Sequence, residues 1–417
     1  MIKKSILYVL MFLYVYQLQL VFLPITVNKL FGIFGMFLYA YHSVRGRPKF
    51  AVLSNVSRLM KPYLWVLFFS IVSIFLNGSY EMPYIRLGFS FFLAIFGTYP
   101  IALLFSRIYG RMCFFTVVKY FVAVAVVQML ISFAMFANSS FHDLFTSLIR
   151  YDEIAEFGIE QSEGFRLIGF GTGFFSSGII HGFILIVMSF YYRYRIKSIG
   201  ENILFFTTFF CVLLGGVFMA RTTLVGACIA FFFIFSAGIH SVHRFFKLVL
   251  SVFASCVICL SVLVFVSNYN SVDLEVLSSF GFEMFKNYSE SGCFESSSTN
   301  TLIDMYSTIP DNMKTWLIGD AKWMDSSGIF YYKHTDVGYL RNIFYFGVLG
   351  LMSFIYFQYL FLKTIFYKCN FTNCRKYSIT LFLFFIILNL KGDADLTLLS
   401  TIFIYSEVYP KLNLKEV

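Results

Sequence analysis

The chain has 417 residues, of which 59% are hydrophobic and 13% are charged, and its mean hydropathy is +0.77. This apolar share is far above that of an ordinary soluble domain, so the composition indicates a protein that lipid solvates. The apolar runs are nearly continuous rather than alternating, which predicts an all-α integral membrane bundle. The net charge of +10 does not indicate nucleic acid, because the basic residues form short clusters between apolar runs.

About twelve membrane spans can be drawn, each long enough for a hydrocarbon core of about 30 Å once tilt is allowed. We expect a single polytopic membrane domain over residues 1–417, with a smaller polar loop at 138–173 and a large one at 268–338. Met1-Ile-Lys-Lys precedes an apolar run without a small-residue cleavage site, which predicts a retained first helix. The predicted spans are 5–23, 27–44, 62–77, 87–107, 112–136, 174–191, 203–220, 222–239, 248–267, 339–362, 378–391 and 396–410.

The charges are segregated between the two sides of the predicted membrane. With the N-terminus inside, 20 of the 32 Lys and Arg residues fall on the inner side, in the loops and at both termini. The two long loops hold 16 of the 22 Asp and Glu residues. Because basic residues set orientation, we expect both termini to be cytoplasmic and both long loops to face outward.

Arg166, Arg221 and Arg341 are outer cations that lie at or near outward-facing helix ends, and Arg221 is the sharpest of the three. It interrupts the apolar run Gly216-Val-Phe-Met-Ala-Arg-Thr-Thr-Leu-Val-Gly226 where one span ends and the next begins, with Thr222 or Thr223 available to cap the new helix. An arginine beside free amides at a helix start is suited to binding phosphate. The structural alternative is an interfacial arginine that reaches the lipid headgroups.

Arg166 is the second outer cation, and it precedes a glycine-rich run that ends at Gly178. The run lacks the strand–turn–helix context of a nucleotide-binding loop, so we do not interpret it as a dinucleotide site. Glycines just outside a span let the backbone approach a bulky or anionic substrate. The alternative for Arg166 is an ion pair with a nearby acid such as Glu163.

The large loop ends in His334-Thr-Asp-Val-Gly-Tyr-Leu-Arg, directly before an apolar run that contains Gly347 and Gly350. His334 and Asp336 are the two side chains there that can move protons, and Arg341 is the third outer cation. The alternative is an ordinary loop histidine beside an aspartate that caps the helix.

Two further features have structural interpretations that compete with functional ones. Asp393-Ala-Asp395 can hold a divalent metal, but its spacing favours capping of the last helix. Lys119 is the most deeply placed charge, which we expect to find a partner inside the bundle or to reach the inner surface. The cysteines show neither a disulfide framework nor zinc spacing.

On these residues the chain resembles the O-antigen polymerases and, more broadly, the superfamily that they share with the O-antigen ligases. The topology is similar over the whole length, and Arg221-Thr-Thr-Leu-Val-Gly226 is similar to the arginine-containing helix start of that superfamily. His334-Thr-Asp-Val-Gly-Tyr and Gly347-Val-Leu-Gly350 are similar to its His…Gly-x-x-Gly and Asp-x-Gly-Tyr segments. Thr335 replaces the Asn, Ser or Gln that often follows the histidine in ligases, which favours a polymerase.

The resemblance implies an inverting, metal-independent glycosyltransferase with a GT-C-like bundle in the bacterial inner membrane. It would join undecaprenyl-pyrophosphate-linked oligosaccharide repeat units at the periplasmic face, without a cofactor and without nucleic acid. Arg221 and Arg166 would bind the pyrophosphate, with Arg341 as a further contact, and His334 or Asp336 would be the base. Membrane lipid, a chain-length regulator and a flippase are the expected partners.

Two other functions compete with this one. A ligase of the same superfamily would transfer finished glycan to lipid A core or to a protein. A flippase for lipid-linked sugars would also have about a dozen spans, but we expect it to carry several charges inside its spans and to lack so long an outer loop.

Overall fold

The computed structural model describes residues 2–46, 49–151, 153–160, 162, 164–195, 198–238, 242–270, 274–293 and 295–408. Within these residues the protein is helical, and its β pairing is confined to isolated bridges. The prediction of an all-α protein is confirmed for the part of the chain described. The helices are α1 (Ile2–Tyr16), α2 (Val27–Val44), α3 (Val52–Asn77), α4 (Pro83–Tyr109), α5 (Phe114–Ala137), α6 (Ser139–Ser147), α7 (Glu153–Glu160), α8 (Phe174–Arg195), α9 (Ile199–Met219), α10 (Thr223–Gly238), α11 (Val242–Asn270), α12 (Leu274–Gly281), α13 (Glu283–Ser291), α14 (Ser297–Tyr306), α15 (Met313–Leu317), α16 (Gly338–Lys368), α17 (Cys374–Leu388) and α18 (Thr397–Thr401).

Six of the described helices are long and apolar enough to cross a membrane: α3, α4, α5, α8 over Phe174–Arg193, α9 and α16. Two shorter apolar stretches, Thr223–Ser236 and Phe246–Cys259, lie in α10 and α11. These helices support a membrane protein, whereas the number of twelve spans stays a prediction.

The first helix differs from its predicted span of 5–23. It ends at Tyr16, and Gln17 takes a left-handed φ of 49°. The chain then pairs with a distant segment, since the Val21 amide donates to the Leu148 carbonyl at 3.0 Å. At 15 residues, α1 is about 22 Å long, which is shorter than a hydrocarbon core.

The chain divides into two compact units. Unit 1 contains Met1–Tyr14, Ile25–Val117 and Ser298–Val417, and unit 2 contains Val15–Pro24 and Val118–Ser297. Much of the predicted loop 268–338 is helical, because it contains the end of α11 and all of α12 to α15. The sequence predicts short helices at 304–308 and 313–318, where α14 and α15 lie, whereas α12 and α13 had no predicted counterpart.

In unit 1, α2 packs against α4 through small residues. A Cβ at Gly32 would lie 2.6 Å from Leu93 Cβ, and a Cβ at Gly35 would clash with the Phe96 carbonyl. On α4, a Cβ at Gly97 would lie 3.1 Å from the Gly32 amide nitrogen. These glycines let the two backbones approach closely, as small residues do between membrane helices.

α16 is broken near its start. Phe346 and Gly347 leave the helical region, and Gly347 has φ 72° and ψ −179°. The freed carbonyls of Phe344 and Tyr345 accept the amides of Asp320 at 2.6 Å and Ala321 at 3.0 Å, so the large loop enters the break. A backbone break inside a membrane bundle persists where other protein groups satisfy its polar atoms.

The Gly347-x-x-Gly350 pattern follows from this break. A Cβ at Gly347 would clash with the backbone of Leu317, and a Cβ at Gly350 would occupy the space of the Phe346 ring. Ser73 Oγ also donates to the Tyr345 carbonyl at 2.7 Å, which ties α3 to the same point. The two glycines are therefore explained by packing.

We predict that Gly347→Ala destabilises the protein by about 2 kcal/mol or more, because alanine is strained at this φ and its methyl group meets the Leu317 backbone. Thermal unfolding of the detergent-solubilised protein measures the effect. Gly200→Ala is the matched control, since a Cβ there meets nothing within 4 Å. Equal melting temperatures for the two variants would contradict the role of Gly347.

Candidate functional site

Arg221 lies in unit 2 at the turn between α9 and α10. α9 ends at Met219, Ala220 is extended, and α10 begins at Thr223. The Leu167 amide donates to the Phe218 carbonyl at 3.0 Å, which fixes the segment that carries Arg166 against the same turn. The structure thus brings together the two arginines that the sequence places 55 residues apart.

Glu283, the first residue of α13, forms an ion pair with Arg221. The side chains of Arg221 and Glu283 are 16% and 25% exposed, so solvent screens this pair only in part. Burial alone would raise the pKa of Glu283, but the Ser297 amide, which donates at 2.9 Å, and Arg221 together bring that pKa below its usual value. Glu283 is therefore stabilised as a charged carboxylate, and its cation is Arg221.

Arg166 and Arg221 share one aromatic ring. The Cζ atoms of Arg166 and Arg221 lie 5.5 Å and 4.9 Å from the ring centroid of Phe280. Arg166 Cζ also lies 3.2 Å above the ring of Phe174, the first residue of α8. Cation–π contacts of this kind orient a guanidinium without neutralising it.

Arg166 keeps unused hydrogen-bonding capacity. Its Nη2 donates to Ser162 Oγ at 2.6 Å, while its Nε is buried and has no hydrogen-bond partner among the residues that the structure describes. Arg166 forms no ion pair within that part of the chain, and Glu163 lies outside it. A buried guanidinium donor without an acceptor is costly unless a ligand supplies one.

The electrostatics of Arg166 favour an anion. Burial, followed by the positive charge of Arg221, lowers the pKa of Arg166 to about 10. An anion beside both guanidinium groups would relieve this repulsion and would accept the free Nε–H. The geometry is therefore suited to a phosphate or diphosphate group.

An apolar cluster is formed by residues that lie close in sequence to this site. Leu167, Phe218, Met219 and Leu277 are buried together, and Phe282 packs against them. Each of these residues lies within three positions of Arg166, Arg221, Phe280 or Glu283 in sequence. The cluster joins three separate segments of chain, so packing fixes the backbone that carries the charged side chains.

The glycines after Arg166 have mainly structural surroundings. Gly171 has φ 69°, and a Cβ there would meet the Leu18 side chain. A Cβ at Gly169 would meet Thr172 Oγ1 and would lie 2.9 Å from Gln128 Nε2, whereas Gly173 faces open space. Gly169 and Gly171 therefore serve packing, and Gly173 leaves room at the start of α8.

Arg341 lies in unit 1, in the first turns of α16. Its Cζ lies 4.0 Å from the ring centroid of Trp323 and 3.5 Å from that of Tyr331, and only 9% of the residue is exposed. Arg341 Nε is buried and has no hydrogen-bond partner within the described residues. Like Arg166, it is a stacked arginine with an unused donor.

His334 and Asp336 are both exposed, near the start of α16. The His334 ring packs on Phe330 at 5.6 Å, and no hydrogen bond joins it to Asp336 among the described contacts. Although the residue as a whole is exposed, desolvation of its carboxylate by neighbouring protein atoms raises the pKa of Asp336. The positive charges of Arg341 and Lys391 oppose that rise. No bond from the first turn of α16 to the Asp336 carboxylate occurs among the described residues, and the Val337 amide donates to Thr335 Oγ1 at 3.3 Å.

The two carboxylates of Asp393-Ala-Asp395 have different partners. Asp393 Oδ1 accepts from Asn342 Nδ2 at 3.0 Å, and burial raises its pKa. Asp395 accepts the amide of Thr397, the first residue of α18, at 2.9 Å. Across the described residues, no three His, Cys, Asp or Glu side chains gather as metal ligands.

Lys119 and His181 are ionisable residues inside unit 2 helices. Lys119 of α5 lies 5.8 Å from the Tyr191 ring centroid and lines a cavity of about 220 Å³ with Glu201 and apolar side chains. His181 of α8, which the sequence analysis did not single out, is fully buried. Its Nδ1 donates to the Ser177 carbonyl at 2.8 Å, which leaves Nε2 as an acceptor. The sequence alone does not indicate that a lone histidine in an apolar run is fully buried and hydrogen-bonded.

Comparison with protein-family models, with curated proteins and with solved structures finds no match. The resemblance stated from the sequence therefore remains a hypothesis.

We predict that Glu283→Gln strengthens the binding of inorganic pyrophosphate to the solubilised protein, because the carboxylate that now pairs with Arg221 no longer competes with the anion. The loss of the half-buried ion pair should also cost about 1–2 kcal/mol of stability. The melting temperature without ligand measures the loss of stability, and its shift on adding pyrophosphate measures the binding. Glu290→Gln, an exposed position on the same helix, is the control. A smaller pyrophosphate shift in Glu283→Gln than in the unmodified protein would refute the anion site.

Proposed function

We propose that the protein is an O-antigen polymerase, which joins undecaprenyl-pyrophosphate-linked repeat units at the periplasmic face of the bacterial inner membrane. In this proposal the chain has about twelve spans in a GT-C-like bundle, both termini are cytoplasmic and both long loops face outward. The six long apolar helices and the segregation of charge in the sequence support the membrane part of the proposal.

The observation that carries the proposal is the pair of arginines on Phe280. Arg166 and Arg221 both stack on this ring, and within the described part of the chain Arg166 retains a buried donor without an acceptor. Because a diphosphate offers several anionic oxygens, it can bind two guanidinium groups at once. A polyprenyl diphosphate is the donor that an outward-facing glycosyltransferase of this kind would use.

The reaction that we propose is an inverting transfer. A hydroxyl oxygen of the acceptor sugar bonds to the anomeric carbon of the donor, while the bond from that carbon to the diphosphate oxygen breaks. The diphosphate leaves with the electron pair, and a base takes the hydroxyl proton. Charge grows on the diphosphate as the bond breaks, so the guanidinium groups of Arg166 and Arg221 stabilise the transition state more than the ground state.

The remaining roles follow the resemblance. Asp336 and His334 are the candidate bases, and the raised pKa of Asp336 brings that carboxylate closer to the range useful for proton transfer. Arg341, with its free Nε–H, is a further candidate for phosphate contact. No metal or nucleotide takes part in this proposal, and a chain-length regulator and a flippase are the expected partners.

Two rival functions make different predictions for a deletion strain. Loss of a polymerase leaves the lipid A core capped by a single repeat unit, whereas loss of a ligase leaves the core bare. A flippase would need charges or polar groups along a path through its helices. Lys119, which lines a cavity, and the buried His181 are the residues in unit 2 that would support a flippase function.

We predict that Arg221→Ala and Arg166→Ala each lower polymer synthesis by about 10²-fold, since removing one donor from a developing anion costs about 3 kcal/mol. Arg166→Lys keeps the charge but loses the stacked geometry. Its polymer synthesis should therefore fall between that of the unmodified protein and that of Arg166→Ala. The length distribution of surface polysaccharide on a gel measures the effect, with insertion checked by membrane fractionation.

Lys286→Ala provides the matched control, because Lys286 is an exposed cation on α13, close in sequence to Glu283. A long-chain ladder at wild-type intensity in Arg221→Ala would remove the basis of the proposal. So would an equal loss in Lys286→Ala.

A further inference from the structure

Unit 1 contains a second cationic site, where the C-terminal ends of α2 and α4 meet. A cavity of about 320 Å³ is lined by Tyr41, His42, Arg45, Lys49, Leu103 and Arg107. Arg45 is the C-cap of α2, and Arg107 lies in the last turn of α4. In the sequence these cations mark the predicted inner side of the membrane.

The charge of this cavity is strongly positive. Arg45, Lys49 and Arg107 carry three full charges, and no carboxylate occurs among the lining residues described. The three form no ion pair within the described part of the chain. The ends of two helices contribute about −0.5 charge each, which leaves a clear positive excess.

Packing holds the cavity open and in shape. Arg45 Cζ lies 4.5 Å from the Tyr41 ring centroid, and His42 Nδ1 lies 2.8 Å from the Tyr99 hydroxyl. The backbones of α2 and α4 are held together by the glycine contacts described above. The arginine and the histidine are therefore positioned by the protein rather than by a bound partner.

The surface next to the cavity is apolar. Phe34, Phe37, Tyr41 and Val44 follow one another along one face of α2 at helical spacing, and they are 57%, 73%, 50% and 90% exposed. A membrane helix exposes such a face to acyl chains. An anion that carries acyl chains could place its headgroup in the cavity and its chains along this face.

We propose that the cavity binds the phosphodiester headgroup of an anionic phospholipid, with the acyl chains lying against the exposed face of α2. Arg45 and Arg107 donate hydrogen bonds to the phosphate oxygens, and Lys49 adds charge at the open rim. Basic cavities between membrane helices recognise anionic headgroups in this way. The site is distinct in residues from the arginine pair on Phe280 and does not depend on the proposed function.

The test is titration of the purified full-length protein in detergent with phosphatidylglycerol, followed by native mass spectrometry of the lipid adducts. The triple variant R45Q/K49Q/R107Q should bind phosphatidylglycerol about 10²-fold more weakly, given about 1 kcal/mol for each of the three cations at a membrane surface. The control R58Q/K61Q/K376Q removes the same charge from exposed positions outside the cavity and should bind as the unmodified protein does.

Two further ligands separate the sources of the anion. Phosphatidylcholine, which has the same phosphate but no net charge, should bind weakly to every variant. Millimolar inorganic phosphate should not displace phosphatidylglycerol. Complete displacement by inorganic phosphate would overturn the lipid assignment in favour of a free-anion site.

The mutants also allow a clear negative result. Equal losses in the two triple variants would mean diffuse surface charge and would overturn the site, as would unchanged binding in R45Q/K49Q/R107Q. The single exchange Lys49→Gln alters an exposed side chain, so it should preserve the fold and show a smaller loss in the same direction. No loss in a folded Lys49→Gln protein would exclude the rim charge from the site.

Discussion

Two like charges are held on one aromatic ring in unit 2, and the proposed chemistry depends on this arrangement. The repulsion between Arg166 and Arg221 is offset by cation–π contact with Phe280, by the ion pair of Arg221 with Glu283 and by the buried cluster of residues close to them in sequence. Burial nevertheless leaves Arg166 with a lowered pKa and with a donor that finds no acceptor among the residues that the structure describes. An anion completes this site better than water does, because it satisfies the donor and the charge together.

Unit 1 shows how a long polar segment can be built into a helical bundle. The break at Gly347 releases two carbonyls, and the amides of Asp320 and Ala321 bind them. The Glu81 carboxylate accepts the amides of Trp323 and Met324 at 2.8 Å and 3.0 Å. Trp323, fixed in this way, forms one of the two rings that enclose Arg341. The polar loop is thus held through its own backbone amides, which bond to carbonyls of α16 and to the side chain of Glu81 between α3 and α4.

The sequence was sufficient for the features that depend on local pattern. Continuous apolar runs predicted helices, and the interruption at Arg221 predicted a turn between two of them. Sequence alone did not predict that Glu283, 62 residues further on, would pair with Arg221, or that Phe280 would accept both guanidinium groups. Such contacts depend on tertiary packing between segments that share no local pattern. The break in α16 was missed for a similar reason: its glycines look tolerable in an apolar run, and the partners of its carbonyls lie in the loop.

The central claim is that Arg166 and Arg221 bind a diphosphate together. Cryo-electron microscopy of the full-length protein in lipid nanodiscs with a short-chain polyprenyl diphosphate tests it most directly. We expect diphosphate density in contact with both guanidinium groups, including the Arg166 Nε–H that now lacks an acceptor. Density for the diphosphate elsewhere on the protein, with Arg221 still paired to Glu283 and no ligand at Arg166, would contradict the claim.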